Sequence, residues 1–186
     1  MPARRILQLG DPVLRQVSGP VRDPGDVRLT LRDLCATLRE FRRTHGFGRG
    51  ISAVQIGELS RVIYIEFGQT AYSLINPTFE FRSPEQFRLW DDCFSFPDLM
   101  VLVDRSARVA LRYQDESGTF QSLEAEGALS ELIQHEMDHL DGVLAVDRAV
   151  NRNAFCTRAE WERRFGGGLR GGRAASVPRS ECLDTA

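Results

Sequence analysis

The strongest constraint on the fold is a change in hydrophobic periodicity late in the chain. Residues 61–125 contain short segments rich in β-branched and aromatic residues, separated by Gly, Pro, Asn and Ser. This pattern is typical of antiparallel strands joined by turns. Residues 128–141 then place apolar side chains at helical spacing, and Gly142 follows as a helix stop. The sequence therefore predicts an α+β fold in which antiparallel β-sheets pack around a central helix.

The other elements complete a single domain. An amphipathic helix is predicted over residues 27–44, a shaped loop over the glycine-rich residues 48–57, and a weaker helix over residues 149–165. Residues 166–186 are rich in Gly, Arg and Ser without any period, so we expect one folded domain over residues 1–165 and a flexible tail after it. The individual strands are predicted at residues 61–67, 72–75, 79–81, 87–90, 100–103, 108–113 and 119–123.

Composition and charge exclude several classes of partner. All 24 basic residues are arginines, but they are spread among 26 acidic residues and leave a formal net charge of −2. No basic stripe results, so we expect no direct nucleic-acid binding. No run approaches the ~18 apolar residues of a membrane span, and no export signal follows the first methionine. We therefore expect a cytoplasmic protein without membrane contact.

The central helix carries a metal-binding pattern. His135, Glu136 and His139 form an H-E-x-x-H sequence, and on a helix the two imidazoles lie on one face, where both can bind one metal ion. Glu136 then lies beside the ion and can move a proton from a water to a leaving amine. The alternative is a chance match in a charged helix. It is disfavoured because the chain has 3 histidines and two of them fall at this spacing.

Two imidazoles leave a position for a third protein ligand. In the metzincin pattern this ligand is a histidine six residues after the second one, but that residue is Ala145 here. The remaining histidine, His45, falls at the end of the first helix. A capping role at the negative helix end is favoured there over metal binding.

The cysteines are the other candidates for the third ligand. Cys35 lies on the apolar stripe of the first helix and is predicted to be a core residue, while Cys156 falls in the weak third helix and Cys182 in the tail. Cys93 follows two aspartates at the end of an apolar run, just before a Pro turn, where a side chain can leave the sheet. The residues alone favour Cys93 over an acidic ligand but leave both open, because buried cysteine is often only a small hydrophobe.

Four segments together resemble the peptide deformylase family. They are Leu9-Gly10-Asp11-Pro12-Val13-Leu14-Arg15, Gly48-x-Gly50-Ile51-x-Ala53-x-Gln55-x-Gly57, Cys93-Phe94-Ser95 with Pro97, and Gln134-His135-Glu136-x-Asp138-His139-Leu140-x-Gly142-x-Leu144. Ordered motifs of this kind are far more specific than one H-E-x-x-H sequence. The chain therefore resembles a divergent member of this family over nearly all of its expected domain.

The resemblance implies a metal centre and a reaction. Cys93, His135 and His139 would bind one divalent ion, Fe(II) by preference, with Zn(II) or Ni(II) able to occupy the same site. The reaction would be removal of the formyl group from the N-terminal methionine of nascent polypeptides. The expected partners are thus N-formylated nascent peptides, with the ribosome as a candidate place of encounter, and the expected state is a monomer or weak dimer.

The resemblance also assigns catalytic roles. Glu136 would shuttle the proton between the attacking water and the leaving amine. The developing oxyanion needs preorganised donors, and the family match assigns these to the side-chain amide of Gln55 and the backbone N–H of Phe94.

The departures from the family pattern concern the substrate. The residues expected to bind substrate are Gly48, Arg49, Gly50, Asp91, Asp92 and Glu131. Asp91 and Asp92 replace the Glu-Gly pair that usually precedes the cysteine, and Arg49 and Glu131 are charged at two positions that in the family help line the methionine pocket. The residues alone favour side chains that point to solvent. The sharper hypothesis is that Arg49 and Glu131 pair across a pocket no longer suited to methionine.

Three further functions remain open at this point. The first is a deformylase-like amidase acting on another N-formyl or N-acyl substrate with a side chain other than methionine's. The second is a catalytically retired relative that binds peptide or ribosome, which the intact Glu136, Gln55 and candidate ligands disfavour. The third is a generic zinc peptidase, which would cleave internal peptide bonds without any need for Cys93.

Overall fold

The computed structural model describes residues 3–165, in which six consecutive strands lie between the first part of the chain and the central helix. The helices are α1 (Arg28–His45), α2 (Gly127–Leu140) and α3 (Arg158–Phe165). The strands are β1 (Gly50–Ser52), β2 (Val62–Phe67), β3 (Thr70–Arg82), β4 (Gln86–Asp92), β5 (Leu99–Ser106), β6 (Arg108–Gln114), β7 (Phe120–Glu126) and β8 (Phe155–Thr157). The tail expected over residues 166–186, with Cys182, lies outside the described residues. None of the described helices combines the length and apolarity needed to cross a bilayer.

The strands form two antiparallel sheets. The first has five strands in the order β1-β2-β3-β6-β7, and the second has three in the order β4-β5-β8. All the pairings within both sheets are antiparallel. Helix α2 contacts strands of both sheets, including β1, β2 and β7 of the first and β5 of the second. The expected α+β fold, with antiparallel sheets packed around the helix that carries H-E-x-x-H, is confirmed.

Helix α1 forms because its apolar residues recur every three or four positions and its charged residues lie between them. Leu31, Leu34 and Leu38 are fully or almost fully buried against β1 and β2. The helix ends at Gly46, whose N–H donates to the carbonyl of Arg42. The amphipathic helix and its stop are therefore where the sequence predicts them.

Helix α2 is buried along nearly its whole length, which is unusual for a helix this polar. Ile133 and Met137 pack in the core of the first sheet. On the other face, the Gln134 side chain bonds both the N–H and the carbonyl of Ser106 in β5. At the C-terminal end, Gly142 has φ +71, and a Cβ there would lie 2.5 Å from the carbonyl oxygen of Arg15, so only glycine fits. The helix is thus fixed between the two sheets.

Strand β3 corrects the expectation of two separate strands at residues 72–75 and 79–81. The chain stays extended through Asn76-Pro77, although the pairing register with β6 shifts between Ile75 and Thr78. Pro77 has no N–H to donate, and a bulge accepts it because the ladder is already interrupted there. Asn76 adopts φ 51 and its side chain bonds both backbone groups of Val21, which fixes the irregularity.

The helix expected over residues 149–165 is wrong in its first half. Residues 155–157 form β8, which pairs with Leu99–Val101 at the edge of the second sheet, and only Arg158–Phe165 is helical. A short strand adjoining a helix has too few residues to show a period of its own. The expected loop over residues 48–57 likewise contains the three-residue strand β1, which pairs with β2.

Burial along α1 gives a test of the packing. We expect Leu34→Ala, at a side chain with 0% exposure, to lower the free energy of unfolding by about 2–5 kcal/mol, because it removes buried methyl groups and leaves a cavity. Leu29→Ala on the same helix, where the side chain is 61% exposed, serves as the control and should cost less than about 1 kcal/mol. Urea unfolding of both variants would contradict this assignment of the helix faces if the two losses were equal.

Candidate metal centre and active site

Three side chains that suit a transition metal converge at the centre of the protein. The ligand atoms of Cys93, His135 and His139 all lie within 4.8 Å of one another, and all three residues are buried. Cys93 Sγ is 3.2 Å from His139 Nε2. A thiolate and two imidazoles at such distances can share one ion with bonds of about 2.0–2.3 Å. This donor set suits zinc, iron or nickel rather than magnesium or calcium, which prefer oxygen.

The local sequence explains why these side chains meet. His135 and His139 are one turn apart on α2, and their ring centroids are 5.0 Å apart. Cys93 directly follows β4, where the chain leaves the second sheet and turns back toward β5. The N–H of Ser95 and the side-chain amide of Gln55 both point at the sulfur, at 3.4 and 3.6 Å. Both donors can thus hydrogen-bond the sulfur that would bind the metal.

A chain of buried ion pairs lies behind His135. Asp91 Oδ1 is 2.9 Å from His135 Nδ1, and the other Asp91 oxygen accepts from Arg105 at 2.9 Å. Arg105 also donates to Asp138 at 2.5 Å, and Asp138 reaches Arg148 at 2.7 Å. Asp91, which the resemblance assigns to substrate, therefore lies on the far side of a candidate ligand. It supports the ring of His135 from behind, as carboxylates do at many metal sites.

These contacts shift the pKa values of the buried groups. Burial opposes the charged form of Asp91, but His135 and Arg105 outweigh it and lower the pKa of Asp91. Burial likewise opposes a charged His135, but Asp91 outweighs it and raises the pKa of His135 well above its usual value. Burial, together with the charge of His135, lowers the pKa of His139. The site thus holds negative charge at Asp91 and is suited to a cation on the other side of His135.

Glu136 faces the same cavity as the candidate ligands. Its Oε2 accepts from the Ser52 hydroxyl at 2.6 Å, and Ser52 also bonds the Glu136 carbonyl oxygen at 2.9 Å. Burial raises the pKa of Glu136 to about 7, against the lowering effects of His135 and Ser52. A carboxyl group poised near neutrality can both take up and release a proton.

Gln55 also contacts the sulfur of Cys93. Its Oε1 accepts from the N–H of Ser52, which fixes the amide so that its NH₂ group is directed at Cys93 and at the hydroxyl of Ser95, 3.3 Å away. The residue after Cys93, Phe94, lines the same cavity. Gln55 and Phe94, the residues that carry the two expected oxyanion donors, therefore both line the cavity beside Cys93.

Glycine is needed where strand β1 approaches the site. A Cβ at Gly48, which has φ +125, would lie 2.4 Å from the ring of Phe94, and one at Gly50 would lie 2.8 Å from a carboxylate oxygen of Glu136. The two glycines thus let this segment pack directly against Phe94 and Glu136. Between the two glycines, Arg49 extends away and ion-pairs with Glu131 at 2.8 Å.

A cavity of about 610 Å³ opens beside the candidate metal site. It is lined by reacting groups, aromatic rings, glycines and charged side chains: Arg42, Gly46, Phe47, Gly48, Arg49, Gly50, Gln55, Glu66, Phe67, Gly68, Asp92, Cys93, Phe94, Glu131, Leu132, His135 and Glu136. Five of the six residues expected to bind substrate are among them, and Asp91 is the exception. Asp92 lines the rim and bonds Arg158 at 2.7 Å.

The remaining histidine and the other two cysteines of residues 3–165 do not line this cavity. His45 Nδ1 is 3.2 Å from the carbonyl oxygen of Phe41 at the end of α1, which agrees with the capping role. Cys35 lies in the core beneath α1, as predicted. Cys156 is buried in β8 rather than in a helix.

Three contributors to the site were missed by the sequence reasoning. Ser52 bonds Glu136, and Arg105 bonds both Asp91 and Asp138. Asp138 lies inside the H-E-x-x-H sequence, one position before the second histidine, which is a signal that could have indicated a supporting role. Ser52 and Arg105 give no such signal, because their partners are distant in sequence.

An α+β fold whose buried helix presents two histidines and a glutamate to a cysteine thiol defines a metal-dependent hydrolase. The family model for polypeptide deformylase matches residues 3–154. Peptide deformylase from Mesorhizobium japonicum is 37% identical over 154 residues, covering 79% of this chain and 84% of the relative. The enzyme from Thermotoga neapolitana is 37% identical over 145 residues, covering 77% and 85%. This chain belongs to the peptide deformylase family.

Solved structures agree with the sequence relatives. The crystal structure of peptide deformylase from Thermotoga maritima superposes with a TM-score of 0.75 at 33% identity, covering 81% of this chain and 100% of that one. The peptide deformylase from Synechococcus elongatus, in complex with actinonin, gives a TM-score of 0.75 at 36% identity, covering 83% and 82%. The expectation of a peptide deformylase, a hydrolase, is confirmed, and the relatives give no support to the other functions considered.

The ligand assignment predicts the metal content of two cysteine variants. We expect Cys93→Ala to lose stoichiometric metal, because two imidazoles alone leave the ion under-coordinated. Cys156→Ala removes another buried, free cysteine and should keep its metal. Elemental analysis of anaerobically purified protein measures both. Full metal content in Cys93→Ala would show that Cys93 is not a ligand.

The contact behind His135 predicts a weaker but specific effect. Asp91→Asn should lower metal affinity about 10–100-fold, since the loss of an outer-shell carboxylate usually has this cost. Asp104→Asn in the neighbouring strand β5, where the carboxylate forms a surface pair with Arg88, is the matched control. Competition with a chelator compares the two variants, and equal affinities would argue against the supporting role of Asp91.

Proposed function

We propose that this protein removes the N-formyl group from the N-terminal methionine of nascent polypeptides. The observation that carries the proposal is the buried group of Cys93, His135 and His139 with the carboxylate of Glu136 facing the same cavity. The cavity opens beside this group and can admit an extended peptide end. Family membership supports the same substrate.

We further propose Fe(II) as the native ion, with Zn(II) or Ni(II) able to take its place. One thiolate and two imidazoles fit each of these ions. Cys93, His135 and His139 would hold the ion, and when bound it supplies Lewis-acid polarisation of the formyl carbonyl. The anionic contact from Asp91 would keep the ring of His135 oriented toward it.

Glu136 would act as the proton carrier. Its carboxylate takes a proton from the attacking water as the new C–O bond forms, and then gives this proton to the amine nitrogen as the C–N bond breaks. The products are formate and a peptide with a free amino end. Ser52 holds the carboxylate in place through its 2.6 Å hydrogen bond, so little reorientation is needed between the two transfers.

Gln55 and Phe94 would stabilise the negative charge on the formyl oxygen. The side-chain amide of Gln55 is held by the backbone N–H of Ser52, and its position is thus set before substrate arrives. The backbone N–H of Phe94, a residue that lines the same cavity, would be the second donor. Preorganised donors of this type typically contribute about 10²–10³ in rate each.

The wider setting follows from the proposed reaction. Nascent N-formylated peptides would be the partners, encountered in the cytoplasm and in part at the ribosome, by a monomer or weak dimer. Direct nucleic-acid binding and membrane contact form no part of the proposal.

Replacing the proton carrier tests the mechanism. Glu136→Gln keeps the shape of the side chain but cannot take up a proton, so kcat for a formyl-Met tripeptide should fall about 10²–10⁴-fold while metal content stays unchanged. Glu124→Gln, at an exposed position on β7, is the control and should match wild type. Formate release measures the rate, and elemental analysis the metal.

The same assay separates the other functions. A retired binder would hold metal and formyl peptide without releasing formate from any substrate. A generic peptidase would cleave internal bonds of unformylated peptides. Either result with metal-loaded wild type would overturn the proposed function.

A further inference from the structure

The cavity beside the candidate metal site has one charged wall that the proposed reaction does not use. Arg49 Nη2 donates to Glu131 Oε2 at 2.8 Å, and Arg49 Nη1 donates to the carbonyl of Ala128 at 3.3 Å. Glu131 is 4% exposed, whereas 35% of the Arg49 side chain remains exposed. The pair is therefore only partly shielded from solvent, because the guanidinium of Arg49 still faces the open cavity.

The position of this pair relates it to the reacting atoms. Glu131 lies one helical turn before His135, so the two side chains occupy the same face of α2. From the opposite wall, Gly48 and Gly50 contribute no side chain, and of residues 48–50 only Arg49 reaches across. A substrate whose formyl group lies among Cys93, His135 and Glu136 must place its first side chain a few bonds away. Since one helical turn rises about 5.4 Å, the Arg49–Glu131 pair lies within reach of that side chain, and both residues line the same cavity.

The other walls of the cavity are mixed. Phe47, Phe67 and Leu132 offer apolar contact. A second ion pair joins Arg42 of α1 to Glu66 of β2 at 2.8 Å. A side chain in this cavity thus meets apolar surface and charged groups together.

The physical consequences differ between apolar and polar side chains. A methionine side chain gains contact with the apolar walls but covers the guanidinium of Arg49, and N–H groups that lose water without gaining a partner oppose binding. Arg49 has five N–H groups, and two of them donate in the hydrogen bonds described. A side chain that ends in a hydrogen-bonding group can accept from the others and donate to Glu131.

A charged substrate side chain is less well matched than a neutral one. An anion would meet Glu131, Glu136 and Asp92 in the same cavity, and a cation would meet Arg42 and Arg49. A neutral carboxamide avoids both repulsions, and glutamine has nearly the length and shape of methionine.

We propose that Arg49 and Glu131 determine the selectivity for the first side chain of the substrate, and that they relax it so that formyl-Gln is accepted about as well as formyl-Met. This inference rests on the proposed function, because it concerns the substrate of the same site. It makes the ion pair a specificity determinant, distinct from the groups that carry out the hydrolysis.

The test compares two tripeptides, formyl-Met-Ala-Ser and formyl-Gln-Ala-Ser, which differ in polarity far more than in size. For the wild-type metalloenzyme we expect kcat/KM values within about threefold of each other. The double variant Arg49→Leu/Glu131→Leu replaces the pair with apolar side chains of similar reach, a change that buried ion pairs often tolerate. It should favour formyl-Met by about tenfold or more. The apolar wall contacts the methionine thioether favourably, whereas the glutamine carboxamide finds no hydrogen-bond partner there.

A matched control removes an ion pair elsewhere. Arg88→Leu/Asp104→Leu deletes the exposed pair between β4 and β5 and should leave the ratio of the two kcat/KM values as in wild type. Circular dichroism establishes that each double variant is folded. Where the Arg49/Glu131 variant is not folded, Glu131→Gln is measured in its place and should also shift the ratio toward formyl-Met.

The outcomes for selectivity and for function are separable. A wild-type preference for formyl-Met of tenfold or more, or a ratio that the Arg49/Glu131 variant does not move, would overturn the inference and leave the proposed function standing. Absence of formate from both peptides would overturn the proposed function instead. In that case calorimetric binding of the two peptides to Glu136→Gln decides the inference, which requires similar affinities.

Discussion

The buried guanidinium of Arg105 is the interaction on which the site depends. It lies on β5 of the second sheet and contacts Asp91 on β4 and Asp138 on α2, so one side chain joins that sheet to the central helix. A charge buried in this way needs an oppositely charged partner, because an unpaired buried charge costs several kcal/mol of desolvation. The requirement to satisfy Arg105 therefore fixes α2 in rotation and depth. Because His135 lies on α2 and contacts Asp91, its ring is held in place by the same arrangement.

The geometry beyond His135 follows from the same arrangement. Once α2 is fixed, His139 and Glu136 are placed by helical spacing, and Cys93 is placed by the end of β4, the strand that carries Asp91. The first sheet contributes from the other side through Ser52 and Gln55. The site thus combines groups from both sheets, and its precision comes from rigid elements rather than from a mobile loop.

Local pattern predicted the parts of the protein whose signal repeats along the chain. The helices around Leu34 and His135 have long apolar periods, and most strands show turn residues at both ends. Residues 155–157 were assigned to the wrong class because a three-residue strand carries no period, and its pairing with Leu99–Val101 is a long-range contact. The residues alone favoured Cys93 and the resemblance assigned it as a ligand, while the contact of Arg105 with Asp91 became evident only from the fold.

The ring of Phe94 lies stacked on Phe41, with centroids 3.9 Å apart, and Phe41 stacks in turn on His45 at 4.0 Å. The same ring fills the space in which Gly48 would otherwise carry a side chain. The residues at positions 48 and 94 therefore cannot be substituted independently of each other. A side chain at position 48 would require a smaller residue at position 94. That smaller residue would lose the stacking contact with Phe41. The shape of the cavity wall at Gly48 is thus set by a residue 46 positions away in the sequence.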